Sequence, residues 1–435
     1  MKQEENGLAL APLGLFLVIF IGTGTFLTMD GTSMAFYQLS ATVAILPAIA
    51  WAVWMGRGKI ADKINIFLRG AGEPGIITMC MIYLLAGGFA SVAKSIGGVE
   101  STVNLGLSIV PASMVLPGLF VIAAFIATAM GTSMGTIAAI APIAVGVAGK
   151  TDISSAVLMG AVVGGAMFGD NLSMISDTTI AATRTQGCQM SDKFKMNFLI
   201  ALPAAILTVI ILYFVGEGGQ VVQNGGYSLL KVLPYITILV MAVMGINVFV
   251  VLGAGIIFTG AVGLASMEAF SLLKFSQDIY SGFTGMQEIL VLSLLVGGLG
   301  ELIKYHGGIA YIIKFIGRLT RGTKSSKAGE FSISALAVLS DLCTANNTVA
   351  IILTGGMAKE IAESHNVDPR RSASLLDIFS CIVQGVIPYG AQVLLAGSIS
   401  KLSPLEIIGN MHYCFILAIV AVLSIMTGFP RGKKS

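Results

Sequence analysis

The chain has 435 residues, 55% of them hydrophobic and only 11% charged, with 53 glycines and a formal charge of +3. Soluble domains carry roughly 25% charged residues, so this composition excludes a soluble globular domain and describes an all-α polytopic membrane protein. So small a net charge leaves no electrostatic footprint for nucleic acid. At about 20 apolar residues per helix, the length allows about ten spans. Five cysteines (Cys80, Cys188, Cys343, Cys381, Cys414) lack C-x-x-C spacing. They read as small core residues, not as a disulfide frame or a metal site.

In chain order, apolar runs near 8–28 and 35–55 predict the first two helices. Nothing after Met1–Gly7 resembles a cleavage site, so the first is expected to be retained. The segment 56–73 carries Arg57, Lys59, Lys63 and Arg69, and a third helix follows over roughly 75–95. A less apolar segment, 96–112, has no Lys or Arg; residues 113–150 are apolar on both sides of Gly131-Thr-Ser-Met-Gly-Thr136. The long span 154–182 precedes a basic loop, 183–195, and a helix over 196–215. A glycine-rich linker, 216–226, closes this half.

Within the long span, Asp170 and Asp177 stand seven residues apart among Asn171, Ser173, Ser176, Thr178 and Thr179. A charge at bilayer depth costs about 2.5–3.5 kcal/mol on insertion scales, so such residues are usually functional. Hard oxygen donors with an exchangeable carboxylate suit a cation site, with Asp170, Asn171 and Ser133 the expected Na⁺ ligands. A polar face with hydroxyls bonded to their own helix explains the serines and threonines but not two acids.

The pattern then restarts. Leu84–Gly98 aligns without gaps on Leu294–Gly308, putting Lys94 on Lys304; Gly131–Ala138 falls on Cys343–Ala350, and Val163–Asp170 on Val383–Gly390. Internal repeats with interrupted hydrophobic segments at matching places point to a secondary transporter's binding site. With the N-terminus inside, the basic segments 56–73, 183–195, 304–328 and Arg431–Lys434 fall in the cytoplasm, and 29–34, 96–112 and 216–228 fall outside. This requires 113–150 and 328–364 to be re-entrant hairpins. Each half then has five crossing helices, an odd number, so the halves are inverted: residues 1–215 with a broken helix at 154–182, and 229–428 with one at 371–400. The chain is expected to be a multi-pass protein of the cell (plasma) membrane, the inner membrane of a bacterium, with both termini cytoplasmic.

The hairpin tips carry Thr132, Ser133 and Thr136 in the first half and Thr344, Asn346, Asn347 and Thr348 in the second. Backbone groups freed at a re-entrant tip are tolerable only facing protein, water or a ligand, so these side chains are candidate ligands. A close helix-packing motif, Gly131-x-x-x-Gly135, is the structural alternative for the first tip. Pro388 and Gly390 break the second long helix, with Gln392 nearby but no acid in that loop, so the charge of the site lies in the first half.

Gly169-Asp-Asn-Leu-Ser-Met-Ile-Ser-Asp-Thr-Thr179, with Gly131–Thr136 before it, resembles the NhaC family of sodium/proton antiporters. More distantly, the tips and broken helices resemble the divalent-anion/sodium symporters of the ion transporter superfamily. The resemblance implies an elevator-type scaffold, a moving transport domain built from both hairpins and both broken helices, and a homodimer. Neither tip here reads Ser-Asn-Thr as in the anion carriers, and the first break carries aspartates where theirs are neutral. The first hairpin is also expected from the outside, opposite to the anion carriers.

Other charges read more plainly. Glu301 and Lys304 should pair on one helix. Asp377 is expected to meet Arg370 or Arg371, and Asp341 is either a hairpin-base or a site residue. Two functions fit. One is Na⁺/H⁺ antiport, in which burial favours the protonated carboxyl and a bound cation the ionised one, so each ligand expels the other. The second is Na⁺- or H⁺-coupled transport of a small organic solute, an amino acid or monocarboxylate. An enzyme is not expected, since there is no H-E-x-x-H and no Cys/His pair at useful spacing. No cofactor is expected beyond the transported ions.

Overall fold

The computed structural model describes residues 5–32, 35–56, 58–216, 225–319 and 325–430. Arg57, Arg321, Lys324, the linker 217–224 and the Arg431–Lys434 tail, on which part of the charge argument rests, lie outside them. The described residues are helical, without a strand. The first half runs α1 (Ala11–Met29), three short pieces α2 (Ala35–Gln38), α3 (Ala41–Ala44) and α4 (Leu46–Trp54), then α5 (Ile60–Ala71), α6 (Pro74–Ser95) and α7 (Gly98–Ile109). It continues through α8 (Val115–Met130), α9 (Ser133–Ala148), α10 (Ser155–Leu172), α11 (Asp177–Gln186) and α12 (Met190–Gly216). The second half comprises α13 (Leu229–Val243), α14 (Val248–Ser266), α15 (Leu272–Gly285), α16 (Gln287–Tyr305), α17 (Gly308–Leu319), α18 (Ser326–Thr344) and α19 (Asn347–Ser364). It ends with α20 (Pro369–Val386), α21 (Ala391–Ser400), α22 (Pro404–Gly409) and α23 (His412–Thr427).

Six helices or interrupted helices are long and apolar enough to cross a membrane, or seven if α15 and α16, bent by 41°, form one span. This is a multi-pass membrane protein. The count falls short of ten because several apolar segments are short. The expected second helix, 35–55, is divided where Ser40 caps α3 and Pro47 opens α4. The segment 96–112 proves to be the short helix α7, begun by left-handed Gly97.

Burial separates two kinds of span. In the apolar 18-residue cores of the interrupted spans Ser155–Gln186 and Pro369–Ser400, 83% and 89% of positions are buried, against 33% in that of α12 and 28% in that of the N-terminal span. The broken helices are therefore the core of the molecule, and the continuous ones supply its apolar exterior. Lys63, read from sequence as part of a cytoplasmic basic loop, is also buried, its ammonium donating to the Met55 carbonyl at 2.7 Å.

Small residues set the closest packing. A Cβ on Gly165 would stand 2.2 Å from the Phe120 carbonyl oxygen, and one on Gly169 would stand 2.3 Å from that of Ala124. Glycines four apart on α10 thus let α8 approach to backbone contact, the close-crossing device of membrane helices. Gly165→Val should therefore cost at least the 1–3 kcal/mol typical of overpacking, about the range seen in soluble cores. Gly118→Ala on α8, where no neighbour lies within 4 Å of the added carbon, should be near neutral. Thermal unfolding of the two purified variants in detergent checks the contrast; equal losses would mean that the α8–α10 crossing relaxes freely.

Candidate functional site

Each tip and each break is built by local backbone chemistry. α8 ends at Gly131, in the left-handed region at φ 73°, and Thr132 then caps α9, its hydroxyl accepting from the Gly135 amide. In the second half Ala345 takes the left-handed position at φ 49°, and Asn346 caps α19 by accepting from the Val349 amide. A left-handed alanine costs about 1–2 kcal/mol relative to glycine, so the surrounding structure holds this tip in place. α10 and α11 are separated by extended residues at Ser173 and Ser176, and α20 and α21 by Ile387–Gly390, where Pro388 lacks an amide donor.

The four interruptions converge. Asp170, buried in the last turn of α10, accepts through Oδ2 from the Ser133 hydroxyl at 2.7 Å and its amide at 3.4 Å. Gln392 Nε2 donates to the same Ser133 hydroxyl oxygen at 3.1 Å. Gln384 Nε2 donates to Gln392 Oε1 at 2.9 Å and to the Ala345 carbonyl at 3.2 Å. A continuous polar chain thus joins the first tip, the first break, the second break and the second tip. Beside it lies a cavity of about 300 Å³ lined by Thr132, Ser133, Asp170, Ser176, Asp177, Thr178, Asn346, Asn347, Thr348, Gln384 and Gln392, and by Glu73 from α6. The lining carries three carboxylates and no lysine or arginine.

The expected site residues are mostly, but not all, brought together here. Asp177 stands exposed in the first turn of α11 at the cavity wall. The Ser176 and Thr178 hydroxyls are bonded to each other at 2.7 Å. Thr136 lies one turn into α9, donating to the Thr132 carbonyl, and Thr344 donates to the Ser340 carbonyl; neither lines this cavity. Ser173 caps the end of α10, its hydroxyl accepting from the Ile175 amide. Asn171 is buried away from the cavity, so of the three expected sodium ligands only Asp170 and Ser133 meet. Asp170 also does not occupy the position of Gly390: it ends a half-helix, whereas Gly390 caps the start of one.

Two contributors had no sequence signal. Glu73 caps α6 through the Ile76 amide while facing the cavity. Lys193, read from sequence as part of a basic loop, is fully buried; its ammonium donates to the Asn171 carbonyl (2.9 Å) and the Thr179 hydroxyl (2.7 Å), and pairs with Asp377 (2.7 Å). Asn197 bridges the same Asn171 carbonyl and Asp377. The expected pairing of Asp377 with Arg370 or Arg371 is thus replaced. Arg371 holds Glu330 at 2.9 Å, and Arg370 holds Asp368. Burial works against the Asp368 carboxylate, but the hydrogen bonds and charge of Arg370 outweigh it and keep this acid below its usual range. The expected Glu301–Lys304 pair is present at 3.1 Å.

Gly131-Thr-Ser-Met-Gly135 also spells the G-x-S-x-G of hydrolase nucleophile elbows. Here it is a helix–helix tip, and Ser133 bonds a carboxylate and an amide, not an imidazole. The strand-to-helix turn and the base that the motif needs are not at this serine.

The profile of the Na⁺/H⁺ antiporter family matches residues 7–217. Over most of its length the chain is also similar to named transporters. It is 24% identical to the Na⁺/H⁺ antiporter NhaC of Bacillus subtilis (strain 168), across 89% of this chain and 91% of that protein. It is equally 24% identical to the malate-2H⁺/Na⁺-lactate antiporter of the same organism, across 96% and 93%. The arginine/ornithine antiporter ArcD of Halobacterium salinarum is 22% identical across 99% and 93%. The resemblance carried by Gly169–Thr179 therefore extends over both halves.

Removing one partner of a buried ion pair strands the other, which costs about 3–5 kcal/mol, whereas replacing both by apolar residues is often neutral. Asp377→Leu should therefore lower the unfolding temperature sharply, and Lys193→Met with Asp377→Leu should recover most of the loss. A double variant no more stable than the single would show that Lys193 matters chiefly through Asn171 and Thr179.

Proposed function

We propose that this protein is a secondary active transporter that exchanges sodium for protons, with Asp170 as the carboxylate for which the two ions compete. The observation that carries the reading is the setting of Asp170: a buried acid at a helix break, bonded by Ser133, on a cavity with no basic side chain. A proton satisfies such a carboxyl when the cavity is empty of cations; sodium replaces it by pairing with the ionised form. Asp177 and Glu73, on the same wall, raise the local cation concentration. The similarity to the NhaC antiporters supports the ions, while relatives of near-equal identity exchange malate and lactate or arginine and ornithine.

A single observation favours the second reading, coupled transport of a small organic solute. A cavity of about 300 Å³ walled by Asn346, Asn347, Gln384 and Gln392 has more room and more amides than a bare ion needs. Proteoliposomes separate the two: sodium alone should collapse an imposed pH gradient, whereas an obligatory amino acid or organic acid would establish the solute reading.

The architecture we infer is two inverted repeats with re-entrant hairpins, moving as an elevator against a dimeric scaffold, with both termini cytoplasmic. Support for the repeat comes from contacts at constant offset. Tyr83 and Ser293 hydroxyls meet at 3.2 Å, and the Cys80 thiol reaches the Leu290 carbonyl, both 210 residues apart. If the segments are repeats related by a two-fold axis, equivalent residues meet where that axis passes between their helices. Deeper in, the Cys381 thiol reaches the Met167 carbonyl, 214 residues away. The same offset relates α10 to α20, each 18 residues long, and α11 to α21, each 10 residues long. It makes Gln384 the counterpart of Asp170. Hairpin arms α8 and α9, of 16 residues each, reach only about 24 Å at 1.5 Å per residue, short of a bilayer core of about 30 Å.

Asp170→Asn keeps shape but removes the exchangeable charge, so sodium-driven proton flux should fall to background in folded, inserted protein. Asp177→Asn should weaken apparent sodium affinity more than maximal rate. Near-normal flux in Asp170→Asn would remove this residue from the mechanism. Cysteines introduced at 100–110 and 150–153 should be labelled from the same membrane face; opposite faces would rule out the first re-entrant hairpin.

A further inference from the structure

Asp341 stands on α18 one turn before the second tip and is fully buried. Neither carboxylate oxygen makes a hydrogen bond of full geometry among the described residues, the Asn346 backbone amide of the tip being the donor that approaches it, and the neighbouring Ser340 hydroxyl is likewise buried without a partner. Several cations on α18 and the helices packed on it have other partners, although both terminal nitrogens of Arg371 are buried without an acceptor and Lys359 of α19 is exposed. Arg371 of α20 holds Glu330, Lys304 of α16 holds Glu301, and Lys327 donates to the Met426 carbonyl of α23. Of the titratable neighbours, the Tyr389 phenol donates to the Leu342 carbonyl at 2.6 Å, and Cys343 is a buried thiol on the same helix. An ionised carboxylate without a partner does not persist in such a place; it takes a proton or a cation.

We propose that Asp341 is a second proton-exchange site, holding a proton that it releases when a monovalent cation enters the second half of the molecule. In the exchange the carboxyl O–H bond breaks, its electron pair stays on the oxygen, and the proton leaves to water while the cation supplies the replacing charge. A route is present. A cavity of about 30 Å³, enough for one water, touches Thr344 and Gly300 next to the tip, and Glu73 and Asn346 border both it and the large cavity. Thr344 in turn donates to the Ser340 carbonyl, the residue before Asp341. Gln384 Oε1, buried and without a donor, is a further oxygen on the second half for an arriving cation. Asp170 differs in that Ser133 stabilises its charge directly, so the two acids answer to different surroundings.

The exchange rests on the cation-transport reading, but the proton is measured without transport. Full-length protein in detergent and weak buffer is given sodium chloride, and released protons are counted with a pH-sensitive dye. Choline chloride serves as control. Asp341→Asn should release about one proton fewer per chain than the unmodified protein, as expected when a cation displaces a bound proton. Asp170→Asn should lose a different proton, leaving that of Asp341. An unchanged count in Asp341→Asn overturns the proposal and leaves the Asp170 reading intact; a loss in Asp341→Asn but none in Asp170→Asn does the reverse. If Asp341→Asn does not fold, the sodium-induced infrared difference spectrum of Asp170→Asn decides. Loss of a protonated-carboxyl band that Asp341→Glu shifts supports the site, and no such loss overturns it.

Discussion

The Asn171 carbonyl sits where α10 stops, inside one of the two most deeply buried spans among the described residues. Interrupting a helix in an apolar interior frees backbone groups that cost several kcal/mol each if left bare. Here the freed oxygen receives the Lys193 ammonium and the Asn197 amide, and both donors are shared with Asp377 on α20. One cluster therefore fixes the first break and ties it to the helix that carries the second. Thr179, across the gap on α11, takes the third hydrogen of Lys193 and donates to the Ser173 carbonyl, so both sides of the break are held. The position of Asp170, one residue before Asn171, follows from that arrangement.

With the break fixed, the cavity lining falls into a charged wall from the first half and an uncharged one from the second. Asp170 meets Ser133 of the first tip, while Gln384 meets the second tip through the Ala345 carbonyl. Gln392 joins the halves by bonding Ser133, so a change at either tip is felt at the other break. The alternating mechanism we propose would need coupling of this kind between its two halves.

Much of this was legible in local signals. Composition alone gave a polytopic membrane protein, because an apolar chain with so few charges has only lipid as a solvent. Gly131, Pro388 and the polar residues around them marked interruptions because they act on the backbone where they stand. Asp170 drew attention because an acid in an apolar run has no bland explanation. The sequence paired Asp170 with Gly390, whereas in the repeat we propose the 214-residue offset of the Met167–Cys381 contact pairs it with Gln384. Glycine-rich helices match at several offsets, and only packing chooses among them.

The amino-acid sequence by itself determined the class and the places where the long helices break. The tertiary structure alone decided which charges meet. Lys193 looked like loop charge and Asp377 looked like a partner for arginine, yet they pair 184 residues apart in the core. Asp341, with a polar tip beside it in sequence, finds no hydrogen bond of full geometry there. A break or a cap is set by a residue and its immediate neighbours, whereas the cost of a buried charge depends on whatever the fold brings to it from elsewhere in the chain.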